Sequence, residues 1–209
     1  MKKQTGFTLI ELAIVLVIIG LLLGGVLRGQ ELINSAKVKN MVTDLKNVQV
    51  YVYTYQDKFK ALPGDDKAAT THAGATNNGD GDGEIDGAWN ATTGESFNFW
   101  QHIRLANIAT GSTTLTDTTY TPTNNEGGLV GVQSKPQNTI TGLTGSYAVC
   151  TSGVLGKLAK QIDSQIDDGD TTKGSVMVAD TVTGTSGATA VATTATNFDS
   201  TKYVLCMAF

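Results

Sequence analysis

Asn78, Asp80, Asp82, Glu84 and Asp86 place oxygen-bearing side chains at alternate positions through Asn78-Gly79-Asp80-Gly81-Asp82-Gly83-Glu84-Ile85-Asp86. With Gly at the sixth place and an apolar residue at the eighth, this is an EF-hand-like ligand rhythm, the oxygen-rich wrapping that calcium takes. The twelfth place, which usually carries a bidentate Glu, holds Trp89, so an ion here would have to recruit Glu95, Asp65 or Asp66. The competing reading is a solvated turn in which Gly supplies positive φ and Asp caps the backbone. Calcium is the one cofactor these residues raise, and nothing in the sequence requires it.

Other reactive residues are sparse. Cys150 and Cys206 each lie late in the chain at the end of an apolar, strand-like run. In an oxidising compartment they would pair; two buried free thiols are the alternative. His72 and His102 are isolated, with no metal-ligand spacing to cysteine, and are expected on polar surface. There is no P-loop, no HExxH and no GxSxG, and the aspartates cluster with glycine in loops, so the sequence points away from an enzyme. Glu11 is the sole ionisable residue in 7–27, and an ionised carboxylate at membrane depth costs several kcal/mol unless it is paired. The bland reading of Glu11 is a helix-end carboxylate that snorkels to the interface.

The elements that hold these residues begin with an apolar stretch. Residues 12–27 carry no charge, which is long enough, together with 7–11, to cross a bilayer as a helix. The short basic segment Met1-Lys2-Lys3-Gln4-Thr5-Gly6 ahead of it keeps that end cytoplasmic and sends the body outward. An ordinary secretory signal is cut behind its apolar run, whereas here the helical pattern continues past Arg28. Leu32, Ile33, Ala36, Met41, Val42, Leu45, Val48, Val52 and Phe59 recur at spacings near three and four, predicting an amphipathic continuation. From 7 to 59 the helix would be roughly 80 Å long. Gly20, Gly24, Gly25 and Gly29 weaken its middle by about 1 kcal/mol each relative to Ala.

Leu62-Pro63-Gly64-Asp65-Asp66 signals the end of that helix. Beyond it the spacing predicts a short helix over 97–108, strands at 129–132, 147–150, 176–179 and 203–207, and a helix from Leu155 through Ile166 that stops at Asp167-Asp168-Gly169. Residues 110–123 and 181–201 are rich in Thr, Ala and Gly and read as surface loops. A formal net charge of -4 leaves no basic field for phosphates, so nucleic acid is not expected as a partner. Charged residues make up only 16%, which suits a polar surface facing the cell exterior.

Lys2-Lys3-Gln4-Thr5-Gly6-Phe7-Thr8-Leu9-Ile10-Glu11 resembles the class III signal of type IV prepilins and type II secretion pseudopilins. The resemblance implies an α+β type IV pilin fold, a long N-terminal helix packed on a C-terminal antiparallel sheet. It divides the chain into a leader (1–6), a helix that is first transmembrane and then amphipathic (7–59), and a head (60–209). It further implies that a prepilin peptidase cuts between Gly6 and Phe7 and methylates the new amino group of Phe7. Glu11 would then pair with the freed N-terminal amine of a neighbouring subunit, fixing register in a helical homo-oligomer. Cys150 and Cys206 resemble the pair that closes the C-terminal loop of many such proteins.

On this reading the chain is an inner-membrane precursor that pilus assembly machinery builds into an extracellular filament for adhesion, motility or DNA uptake. The alternative is a pseudopilin in a periplasmic type II secretion filament, although Glu11 argues against the tip-initiating pseudopilins, which lack that acid. From a different class, a membrane-anchored calcium-dependent binding module would work as a monomer and be indifferent to Glu11→Ala.

Overall fold

The computed structural model describes residues 8–209. The chain divides into two compact units, residues 1–37 and 38–209. In the first, the helix that runs through α1 (Leu9–Phe59) is already formed at Leu9 and stays unbroken through Gly20, Gly24, Gly25 and Gly29. Every residue from 9 to 27 is exposed.

In the second unit, Val38, Met41, Leu45, Val48, Val52 and Tyr55 of α1 are buried, a stripe at the predicted helical spacing. The helix ends as predicted at Phe59: Lys60 takes a left-handed backbone (φ 57°), and Leu62-Pro63-Gly64 turns the chain away. Gly64 (φ 95°) is needed there, because a Cβ would stand 2.6 Å from the Glu95 carbonyl oxygen.

Four strands form one antiparallel sheet, β1 (Val130–Ser134), β2 (Tyr147–Leu155), β3 (Val176–Ala179) and β4 (Lys202–Ala208), in the order β1-β2-β4-β3. The class is therefore α+β, a long N-terminal helix followed by an antiparallel sheet. Side chains alternate across it. Val149, Val154, Val176, Val178, Leu205 and Met207 join the α1 stripe, together with Phe99, Trp100 and Ile103 of α3 (Glu95–Leu105) and Leu158, Ala159 and Ile162 of α4 (Gly156–Ile166). Ala148, Cys150, Met177, Ala179, Val204 and Cys206 face the other way, into a second core with Trp89, Ile140, Leu143 and Val182 supplied by loops. Both faces are covered, which explains why the strands read as continuous apolar runs rather than alternating ones.

Two elements differ from expectation. The helix predicted over 97–108 runs Glu95–Leu105: Gly94 at φ 83° starts it early, and Asn107 at φ 60° ends it. A one-turn helix, α2 (Ala69–His72), sits in a stretch that carries no periodicity.

Candidate assembly segment and acidic loop

Thr8 and Glu11 open α1 as a reciprocal pair. The Thr8 amide and hydroxyl both donate to Glu11 Oε2 (2.8 and 2.7 Å), and the Glu11 amide donates to Thr8 Oγ1 (3.3 Å). This is a capping box, in which a side chain at each end of the first turn satisfies amides that have no partner in the helix. The Thr-x-x-Glu signature of this box stands in the sequence at Thr8 and Glu11. Behind it, α1 is long and apolar enough to cross a membrane, and its apolar window is entirely exposed. Gly6 and Phe7, the expected cleavage and methylation positions, lie outside the described residues.

Residues 1–27 match the family described as the prokaryotic N-terminal methylation motif. The chain carries a prepilin-type N-terminus, consistent with a type IV pilin-like protein. No curated protein and no solved structure matches it. A prepilin-type motif implies processing by a prepilin peptidase and assembly into filaments, and the apolar helix behind it fits a membrane-anchored precursor.

In the second unit of this pilin-like chain, the Asp/Gly loop is organised by acids from outside its run. Asp65, nearly buried, accepts from the amides of Gly81 (2.6 Å) and Asp82 (3.1 Å) through Oδ1, and from Gly83 (2.9 Å) through Oδ2. Glu95 accepts from the amides of Asp80 and Asp86, both at 2.9 Å. Burial pushes both carboxyls up against the pull of these amides.

The five residues singled out in the loop do not converge on one point. Asp80 and Asp82 meet Asp65, their oxygens within 4.8 Å of one another. Asn78 instead accepts from the Thr70 amide (2.8 Å), Glu84 pairs with Lys135, and the Asp86 amide is held by Glu95. Asp66 turns away to Tyr55 Oη (2.8 Å) and His72 Nδ1 (2.7 Å). Asp65 and Glu95, two of the three acids expected to be recruited to this loop, do reach it, but onto its backbone amides; Asp65 does so from sixteen residues before Gly81.

His102 corrects an expectation. It is fully buried rather than on polar surface, with Nδ1 accepting from the Gly64 amide (2.9 Å) and Nε2 3.0 Å from the Asn77 carbonyl oxygen. That pair of contacts fits a neutral ring with its proton on Nε2, and burial holds its pKa below the usual histidine value. His102 thereby ties α3 to the turn at Gly64 and to Asn77, the residue just ahead of the acidic loop. His72, partly exposed, is engaged by Asp66 and stacks on Phe59 at 5.1 Å.

Cys150 and Cys206 are disulfide-bonded. They are direct register partners on the two central strands, and both are fully buried. Such a bond forms and persists in oxidising compartments.

Proposed function

We propose that this chain is a structural subunit of an extracellular type IV pilus filament, serving adhesion, motility or DNA uptake. The observation that carries the reading is the exposed apolar surface of residues 9–27, within the matched methylation motif, with Glu11 in the first turn. An apolar surface of that length has to be covered, first by lipid and then, once the leader 1–6 is removed, by the same helix of neighbouring subunits. Removal of the leader frees the amine of Phe7, which is methylated and docks against Glu11 of the adjacent subunit. The buried disulfide supports an oxidising location for the head, and the sparingly charged Thr-rich segments suit an outer face.

For the Asp/Gly loop we adopt the turn reading. Asp65 and Glu95 accept from backbone amides along the loop, and these hydrogen bonds give it its shape.

Intact-mass spectrometry of protein sheared from the surface of producing cells tests the assignment. The expected species begins at a methylated Phe7 and dominates the sheared fraction, and Glu11→Ala removes it from that fraction without blocking cleavage. A processed chain that stays with the membrane would instead favour the pseudopilin of a type II secretion system. An intact Met1 on the mature protein would refute processing altogether.

A further inference from the structure

A second group of acids lies where α4 ends. Asp163, on the last turn of α4, and Asp167 and Asp168, just beyond it, each bring a carboxylate oxygen within 4.8 Å of the other two. Asp163 is fully buried, and while its Oδ1 accepts from the Gly169 amide (2.9 Å), its Oδ2 is buried with no hydrogen-bond partner. Here the contrast with Asp65 is informative: that acid has donors on both oxygens, whereas Asp163 has one left over. Among the described residues no cationic side chain pairs with Asp163, Asp167 or Asp168; Lys173 is taken by Asp170 (3.0 Å).

A buried carboxylate oxygen without a donor is costly, and two further carboxylates beside it raise the cost. Burial and the charges of Asp167, Asp168 and Asp170 push the Asp163 carboxyl up to about 6. A cation coordinated by the three acids would remove both penalties. Oxygens lying within 4.8 Å of one another can share one calcium, since each Ca–O bond spans about 2.4 Å and the ion completes its total of roughly six to eight oxygens with carbonyls and water. A magnesium ion, with bonds near 2.1 Å and strict octahedral demands, fits that spacing less well.

We propose that Asp163, Asp167 and Asp168 form a calcium site that fastens the end of α4 to the start of β3. Asp167 is the link: its Oδ2 already accepts from the amides of Ser175 (2.5 Å) and Val176 (3.1 Å). Asp163 Oδ2 supplies the buried ligand, and Asp168, exposed, closes the site from the solvent side while its Oδ1 accepts from the Asp170 amide (2.8 Å).

Calcium alone is the probe. The full chain in detergent, stripped with chelator, is titrated with Ca2+ by calorimetry, and its thermal midpoint is read with and without about 5 mM Ca2+. Binding is expected with a Kd of roughly 10 µM to 1 mM, and for a Kd near ~0.1 mM the midpoint rises by about 5 °C. Asp163→Asn keeps the oxygen that accepts from Gly169, removes the buried charge, and should abolish the calcium response while raising the calcium-free midpoint. Asp168→Asn, an exposed change that does not threaten folding, should weaken binding roughly tenfold or more. Asp80→Asn with Asp82→Asn should leave the response intact. The proposal is overturned if the parent chain shows no calcium response, if Asp163→Asn or Asp168→Asn retains it in full, or if the loop double variant is the one that loses it.

Discussion

Replacing both Cys150 and Cys206 with alanine should cost stability chiefly by loosening the unfolded chain. The bond closes a loop across a sequence separation of 56. In the chain-entropy account a loop of that size restricts the unfolded ensemble by roughly 14 cal/mol/K, or about 4 kcal/mol at 25 °C. At roughly 2–4 °C per kcal/mol for a chain of this length, the midpoint should fall by roughly 8–16 °C. Native reduction is a poor substitute for the double variant, because both sulfurs are fully buried and a reductant reaches them only after opening. The chain's two tryptophans give the readout: Trp89 packs in the same core as the disulfide, and Trp100 in the core on the opposite face of the sheet. Thermal unfolding followed by tryptophan fluorescence, on the detergent-solubilised full chain, should show an unchanged native spectrum with a lowered midpoint. A shift under about 2 °C would refute the entropic argument. A changed Trp89 signal in the folded double variant would refute it differently, by showing that the bond shapes the native sheet.

His102 gives a pH dependence of defined sign. Its folded pKa lies below the unfolded value of about 6.5, so its contribution is complete above about pH 6.5 and is lost as pH falls through the lowered folded pKa. Denaturant midpoints measured from pH 7.5 down to 5 should drop by at most about 1.4 kcal/mol per pH unit from this group, and His102→Gln should flatten the slope. An unaltered slope would mean that other groups carry it. On β1, Gly131→Ala should destabilise the fold by roughly 3 kcal/mol or more, since the added methyl would overlap the backbone carbonyl of Trp89. A thermal midpoint within about 2 °C of the parent would show that the Trp89 loop is free to move.

Much of the architecture was legible because it rests on periodicity. The stripe Met41, Leu45, Val48 and Val52 announced the buried face of α1, and Val176 to Ala179 and the α4 pattern appear where expected. The pairing of Cys150 with Cys206, expected for an oxidising compartment and implied by the resemblance, is present across the two central strands. What escaped depends on contacts between residues far apart in sequence. His102 looks like any polar residue on a short helix until Gly64 and Asn77 are brought against its two nitrogens. Asp65 stands in the sequence as one of three acids the loop could recruit, and its hold on the amides of 81–83 shows only once the loop folds over it. The Asp/Gly rhythm allows both an inward set of ligands and a turn, and backbone amides pointing at acids outside the run decide its shape.

The Thr8–Glu11 pair bears on reversibility. Before any neighbour arrives, Glu11 Oε2 is already held by two donors from its own chain. In a filament, an incoming amine would therefore compete for a carboxylate that is in use, and the net gain is the difference between an ion pair and two hydrogen bonds to the same charge, which is smaller than the cost of burying a bare charge. An exchange between two sets of donors to one carboxylate can run in both directions. A subunit withdrawn from the assembly would find its carboxylate promptly reclaimed by Thr8, and so could return to the bilayer and be used again.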